Sequence, residues 1–200
     1  VAGPKLVEPG TDVAARIGDE PLLLARTAPT VVATDRTGGA EFARAHGAGL
    51  IIMDDGLQNS SLRKDFTLAV VDARRGIGNR CIFPAGPLRA PLAPQIAQSD
   101  ALLVVGEVAG AEDVIEQARA RALRIFRGHL APDPAGPEAL RGKKVLAFAG
   151  IGDPEKFFAT AVEAGITVAE RQAFGDHHRY TAEEAAELIM QAEHNGLALL

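Results

Sequence analysis

Cysteine is almost missing from this chain. The one cysteine in 200 residues, Cys81, has no partner for an internal disulfide, so nothing here asks for an oxidising compartment. No apolar run approaches the roughly 20 residues that a membrane-spanning helix needs, and no signal-peptide pattern opens the sequence. Basic residues are not in excess: 21 Lys+Arg against 26 Asp+Glu leave a formal net charge of -5, which argues against a general nucleic-acid binder. Internal repeats and low-complexity tracts are missing too. The absence with most chemical weight is the GxxxxGK[ST] phosphate loop, which neither GGAEFARAHG nor FAGIGDPEKF fits.

What is present is enough for a real core, with 47% hydrophobic and 24% charged residues. At roughly 150 residues per domain, the length fits one large domain or two small ones. Residue 1 is Val, and the closing GLALL reads as a strand entering a core, so the chain is expected to be an internal piece of something longer.

Short apolar runs alternate with helical patterns. Strands are expected at 30–34, 50–53, 66–72, 101–105, 123–128, 144–149 and 166–173. Helices are expected at 37–46, 111–121, from Asp153-Pro154 onward, and from Thr181 onward, where Glu184 completes a capping box. Near-continuously apolar strands separated by helices mean an α/β fold with a mostly parallel sheet and flanking helices. APDPAGP, residues 131–137, carries three prolines and a glycine and is the best linker candidate. It divides the chain into residues 1–131, a linker at 132–140, and residues 141–200. The irregular stretch 74–94, rich in glycine and proline, is long enough to be functional or disordered.

Four constellations could carry chemistry. IIMDDGLQN ends an apolar run in two adjacent carboxylates, Asp54 and Asp55, with Gln58 just beyond. Like charges that close need a cation, hydrogen bonds or open water. They hold a metal behind phosphates, or one caps a turn while the other faces solvent; Gln58 is a ligand-binding amide or a surface residue. IGDEP offers Asp19 and Glu20, read either as a reactive pair or as a helix start that Asp19 caps. FGDHHRYT groups Asp176, His177 and His178 as metal ligands, an acid/base relay or a polar loop before a capped helix. PAGPLRAP carries Arg89, suited to phosphate or simply solvated. His46, His129 and His194 are isolated and read as surface residues.

Taken in order, GDEPLLLA, IIMDDGLQN, DARRGIGN, PAGPLRAP, FAGIGDPEKFF and GDHHRYT resemble the tetraacyldisaccharide 4'-kinase family, the lipid A 4'-kinases of Gram-negative bacteria. The resemblance covers nearly the whole chain. It implies a P-loop NTPase-like core with part of a smaller C-terminal α/β domain. It implies transfer of the ATP γ-phosphate to the 4'-hydroxyl of a tetraacylated glucosamine disaccharide 1-phosphate, at the cytoplasmic face of the inner membrane. ATP and Mg²⁺ are then the cofactors, the lipid A disaccharide precursor is the partner, and nucleic acid is not.

Carried over by motif, Asp19 resembles the catalytic base, His177 its partner, and Asp176 the support of that ring. Asp54 and Asp55, with Gln58, resemble the family's Mg²⁺ and phosphate-facing group; Arg89 is expected from its own chemistry to contact substrate or phosphate. Two departures stand out. The family carries a phosphate loop upstream of the residues present here, so this chain, expected to be soluble by itself, is expected to be inactive alone, whereas the full-length protein is expected to associate peripherally with the inner membrane. The family usually has an acidic residue where Ala90 stands. Two other expectations compete: a DHH-type metal-dependent phosphoesterase, and a binding fragment without catalysis.

Overall fold

The computed structural model describes residues 3–107, 110–131 and 135–200. It divides into two compact units, Val1–His129 and Leu130–Leu200.

The first unit is built on a parallel sheet of three strands, β3 (Leu68–Asp72), β4 (Ala101–Val105) and β5 (Arg124–Gly128), in the order β3-β4-β5. β4 is central because it is the most apolar of the three: ALLVV buries Ala101, Leu102 and Val104 completely. The connections carry α4 (Leu92–Ala97) and α5 (Glu112–Ala120). Ile96 from α4, with Val114 and Ala118 from α5, packs on Val71, Leu102 and Val104 to make the core. Each large side chain so buried is worth roughly 1.5–3 kcal/mol. β3 alternates instead, with Ala69 and Val71 inward and Leu68 and Val70 exposed.

Before this sheet lie α1 (Ala14–Ile17), α2 (Asp19–Leu24), α3 (Arg36–Ala45) and a two-residue antiparallel pairing of β1 (Lys5–Leu6) with β2 (Val31–Val32). α3 forms where expected, and Asp35 caps it by accepting from Thr37 N and Gly38 N at 3.1 and 2.8 Å. Among the described residues, β1–β2 is the antiparallel ladder and the other strand pairings are parallel.

Two expectations are corrected. The apolar run at 50–53 is not a buried strand: no ladder partner is found for it among the described residues, and Leu50, Ile51 and Ile52 are 80%, 47% and 88% exposed. Apolar character favours burial, but a strand also needs a neighbour for its N–H and C=O groups. Asp19 does not cap α2: Gly18, at φ 92°, is the cap, and Asp19 is the first helical residue. Of the expected linker at 132–140, residues 132–134 lie outside the described residues, and α6 (Ala135–Leu140) is a short helix.

The second unit is a parallel sheet in the order β7-β6-β8, with β6 (Lys144–Ala149) central, β7 (Thr167–Ala173) on one side and β8 (Ala198–Leu199) on the other. α7 (Pro154–Glu163) and α8 (Ala182–His194) make the crossovers. Both start as the sequence predicts. Asp153 caps α7, accepting from Lys156 N at 3.2 Å, with Pro154 at its first position. Thr181 and Glu184 form the full capping box of α8. Phe158 on α7, 1% exposed, anchors the core against Val145, Ala147 and Ile166.

Candidate active site

In the first unit, three motif segments converge at the end of the sheet. Asp72 closes β3, and its Oδ1 accepts from Arg74 N at 2.9 Å. A cleft of about 230 Å³ beside it is lined by Leu57, Gly76, Leu88 and Gln95 among others. IIMDDGLQN, DARRGIGN and PAGPLRAP therefore border one cavity.

The twin acids sit in the turn after the exposed 50–53 run. Asp55 holds φ 51°, a left-handed conformation uncommon outside glycine but tolerated by Asp. Gly56 follows and is buried; a Cβ there would meet Met53 Cγ at 2.8 Å, so a larger residue would have to displace the Met53 side chain. The two like charges are relieved from outside. Arg89 Nη2 donates to Asp55 Oδ2 at 2.8 Å, and Arg36 Nη1 donates to the Asp54 carbonyl at 2.9 Å. Gln58 Nε2 donates to Gln95 Oε1 at 2.6 Å, and Gln95 Nε2 donates to Ala90 O at 2.7 Å.

The segments 54–58 and 89–95 are thus clasped twice: by an ion pair and by an amide relay. Gln95 was not singled out in the sequence, because its role depends on a partner 37 residues away. At Ala90, where an acid was expected, the backbone carbonyl does the accepting, so the polar link does not depend on that side chain.

Asp54 and Asp55 present hard oxygen donors on an exposed turn. Mg²⁺ commonly binds through one or two carboxylates plus phosphates and retained water, so the pair fits that ion. Among the described residues no group of three or more His, Cys, Asp or Glu side chains is gathered into a protein-only metal cage. Asp19, exposed at the start of α2, accepts from Glu20 N at 3.1 Å.

The second unit places FAGIGDP and GDHHRYT side by side, because they leave the carboxyl ends of adjacent parallel strands. Phe174 N donates to Ala149 O at 2.8 Å and ties the two exits together. A Cβ on Gly152 would lie 3.4 Å from an Asp176 carboxylate oxygen, so Asp176 sits over that glycine. Asp176 and His177 are exposed, and His177 holds φ 54°.

His178 is different. Its ring stacks on Phe174 at 4.7 Å, meets Tyr180 edge-on at 5.0 Å, and brings Nε2 to 3.0 and 3.1 Å from the Glu184 carboxylate oxygens. Glu184 is held below the usual carboxylate range, first by the Thr181 backbone N–H and then by His178. Burial, and then the Glu184 charge, push the Tyr180 phenol up. The structure therefore gathers Asp176 and His177 in one unit and Asp54, Asp55, Gln58 and Arg89 in the other, with Asp19 also in the first.

No helix among the described residues is long and apolar enough to cross a membrane. Similarity to known proteins runs the length of the chain. A curated relative from Rhodopseudomonas palustris strain BisB5, named tetraacyldisaccharide 4'-kinase, is 53% identical over 99% of this chain and 59% of its own length. One of the same name from Methylobacterium sp. strain 4-46 is 54% identical over 99% of the chain and 60% of its own length. The crystal structure of LpxK from Aquifex aeolicus in complex with ATP superposes with a TM-score of 0.63 at 25% identity, covering 92% of this chain and 62% of that one. The chain thus spans about 59% of the length of the first of these relatives. The sequence model of the tetraacyldisaccharide-1-P 4'-kinase family matches residues 1–200, and the chain belongs to that family.

Proposed function

We propose that the protein carrying this chain transfers the γ-phosphate of ATP to the 4'-hydroxyl of a tetraacyl glucosamine disaccharide 1-phosphate, a step in lipid A synthesis. The observation that carries the proposal is the family match over every residue of the chain. The site supports it, since phosphoryl transfer asks a protein mainly for positioning and charge neutralisation.

Asp54 and Asp55 would hold Mg²⁺, which when bound neutralises phosphate oxygens. Gln58 and Arg89, already fixed beside them by Gln95 and Asp55, face the nucleotide phosphates. A sugar hydroxyl is a poor nucleophile at neutral pH, so a base is needed. Asp19 takes that proton. His177 pairs with Asp19, and Asp176 orients the imidazole. Asp19 belongs to the nucleotide-binding part, residues 1–131, and His177 to the second domain, residues 141–200, with 132–140 connecting them.

The protein works at the cytoplasmic face of the inner membrane, where its acylated acceptor resides, and takes no nucleic acid. These 200 residues, without a GxxxxGK[ST] loop, do not transfer phosphate by themselves. Nothing favours the phosphoesterase reading: its several metal-binding acids and histidines are not clustered among the described residues.

The test is a 4'-phosphorylation assay of the full-length protein with Mg·ATP and the disaccharide. His177→Ala is expected to slow turnover by about 100-fold or more and leave the Kd for ATP unchanged. Turnover equal to wild type removes His177 from the mechanism. No 4'-phosphate product from the unaltered protein overturns the whole reading.

A further inference from the structure

The loop that carries Asp176 and His177 has a conformational problem. Both residues are exposed, and His177 adopts a left-handed φ of 54°, which is uncommon outside glycine and is favoured here by the contacts of its neighbours. The next residue supplies the constraint. His178 N donates to Gly175 O at 3.1 Å, closing the turn around 176 and 177. The His178 ring is packed between Phe174 and Tyr180, and Tyr180 in turn meets Phe148 of β6 edge-on at 5.5 Å.

The ring nitrogen is committed as well. Ionised Glu184 can only accept, so the His178 Nε2 beside it carries the proton and donates. Glu184 is itself immobilised: its Oε2 accepts from Thr181 N at 2.9 Å, and its own N–H donates to Thr181 Oγ1 at 3.2 Å. The β6–α7 turn presses from the other side. A Cβ on Gly150 would come within 2.8 Å of His178 Cβ and 3.2 Å of Tyr180 Oη.

We propose that His178 and Glu184 are positioning residues: a buttress from the first turn of α8 that sets the orientation of Asp176 and His177 for phosphoryl transfer. The inference rests on the kinase reading above and adds to it two residues that touch no reacting atom. The half-buried His178, with Nε2 bound to Glu184, is not the proton-carrying histidine of the motif; it holds its neighbour in place.

The experiment compares variants of the full-length kinase by steady-state turnover and melting temperature. His178→Phe keeps a ring against Phe174 but loses the bond to Glu184. It is expected to lower kcat between about tenfold and 100-fold, with KM for ATP unchanged. Glu184→Gln retains an acceptor oxygen and the capping box, and is expected to recover most of the turnover. Thr181→Ala removes a cap contact but leaves the His178–Glu184 pair; it is expected to lower the melting temperature without lowering kcat.

Wild-type turnover in His178→Phe, or equal kcat losses in Thr181→Ala and His178→Phe at matched stability, overturns the positioning role. His177→Ala separates the two levels of argument. If it is slow while His178→Phe is fast, only the buttress fails; if His177→Ala is fast, the catalytic reading of the loop fails with it.

Discussion

The two site-bearing loops are held in contrasting ways. In the second unit, Asp176 and His177 ride on a loop packed by three aromatic neighbours, bound to a capping carboxylate and pressed by a glycine turn. In the first, Asp54 and Asp55 sit beyond an exposed apolar run and are tied down by contacts that are themselves exposed. The Arg89 and Asp55 side chains are 62% and 66% accessible. A buried or half-buried network specifies one geometry, whereas exposed ion pairs contribute little and leave room for exchange. The second loop is thus preformed by its own fold. The acidic turn is held by an exposed ion pair that opens at small cost: a cation can displace Arg89 from Asp55, and an anion can draw Arg89 away from Asp55.

The strongest way to break the contrast is to remove the support beneath the preformed loop. Phe158→Ala empties the core position under β6 and should destabilise the second unit by about 3–5 kcal/mol. Calorimetry should show the corresponding transition shifting to lower temperature while the first unit's transition stays. A uniform shift of a single transition would mean that the two units do not melt separately.

Acid probes the same loop less severely. Glu184 has a folded pKa below its ordinary value of 4.5, so the stability it contributes is fully present above that value. It is lost as pH falls through the lower folded value, because the unfolded chain then binds the proton more readily. Glu184→Gln should flatten the melting temperature of the second unit against pH below 4.5, relative to wild type. Parallel curves for the two proteins would show that Glu184 carries no special load.

Much of this contrast is hidden in the sequence, for a physical reason. Local signals translated well. Asp153-Pro154 and Thr181-Glu184 start α7 and α8, and the apolar runs of β4 and β6 form as expected, because caps and burial act within a few residues. The run at 50–53 failed, since apolarity states a preference for burial and says nothing about which strand lies alongside. Asp35, a cap visible three residues before Gly38, could have been read from the sequence. The Arg89–Asp55 and Gln58–Gln95 contacts span 34 and 37 residues and leave no periodic trace. His178–Glu184 was masked differently: the capping box already accounted for Glu184, so its second carboxylate contact gave no separate signal.

The smallest expected effect is the most discriminating for the acidic turn. Arg89 and Asp55 are both mostly accessible, so their pair is worth less than about 1 kcal/mol, and Arg89→Ala should barely move the melting temperature. Its consequence should appear in ligand binding. Without Arg89 the Asp55 carboxylate loses its ion-pair partner, which raises the repulsion between the adjacent acids and strengthens their attraction for a divalent ion. In the full-length protein, isothermal titration should therefore show free Mg²⁺ binding tighter in Arg89→Ala than in wild type, while Mg·ATP should bind more weakly if Arg89 has the phosphate-facing role proposed for it. Opposite movement of the two affinities is the signature of a turn whose resident cation gives way to ligand. If both weaken together, Arg89 is instead holding the turn in shape, and the distinction between a rigid loop in one unit and an exchangeable one in the other disappears.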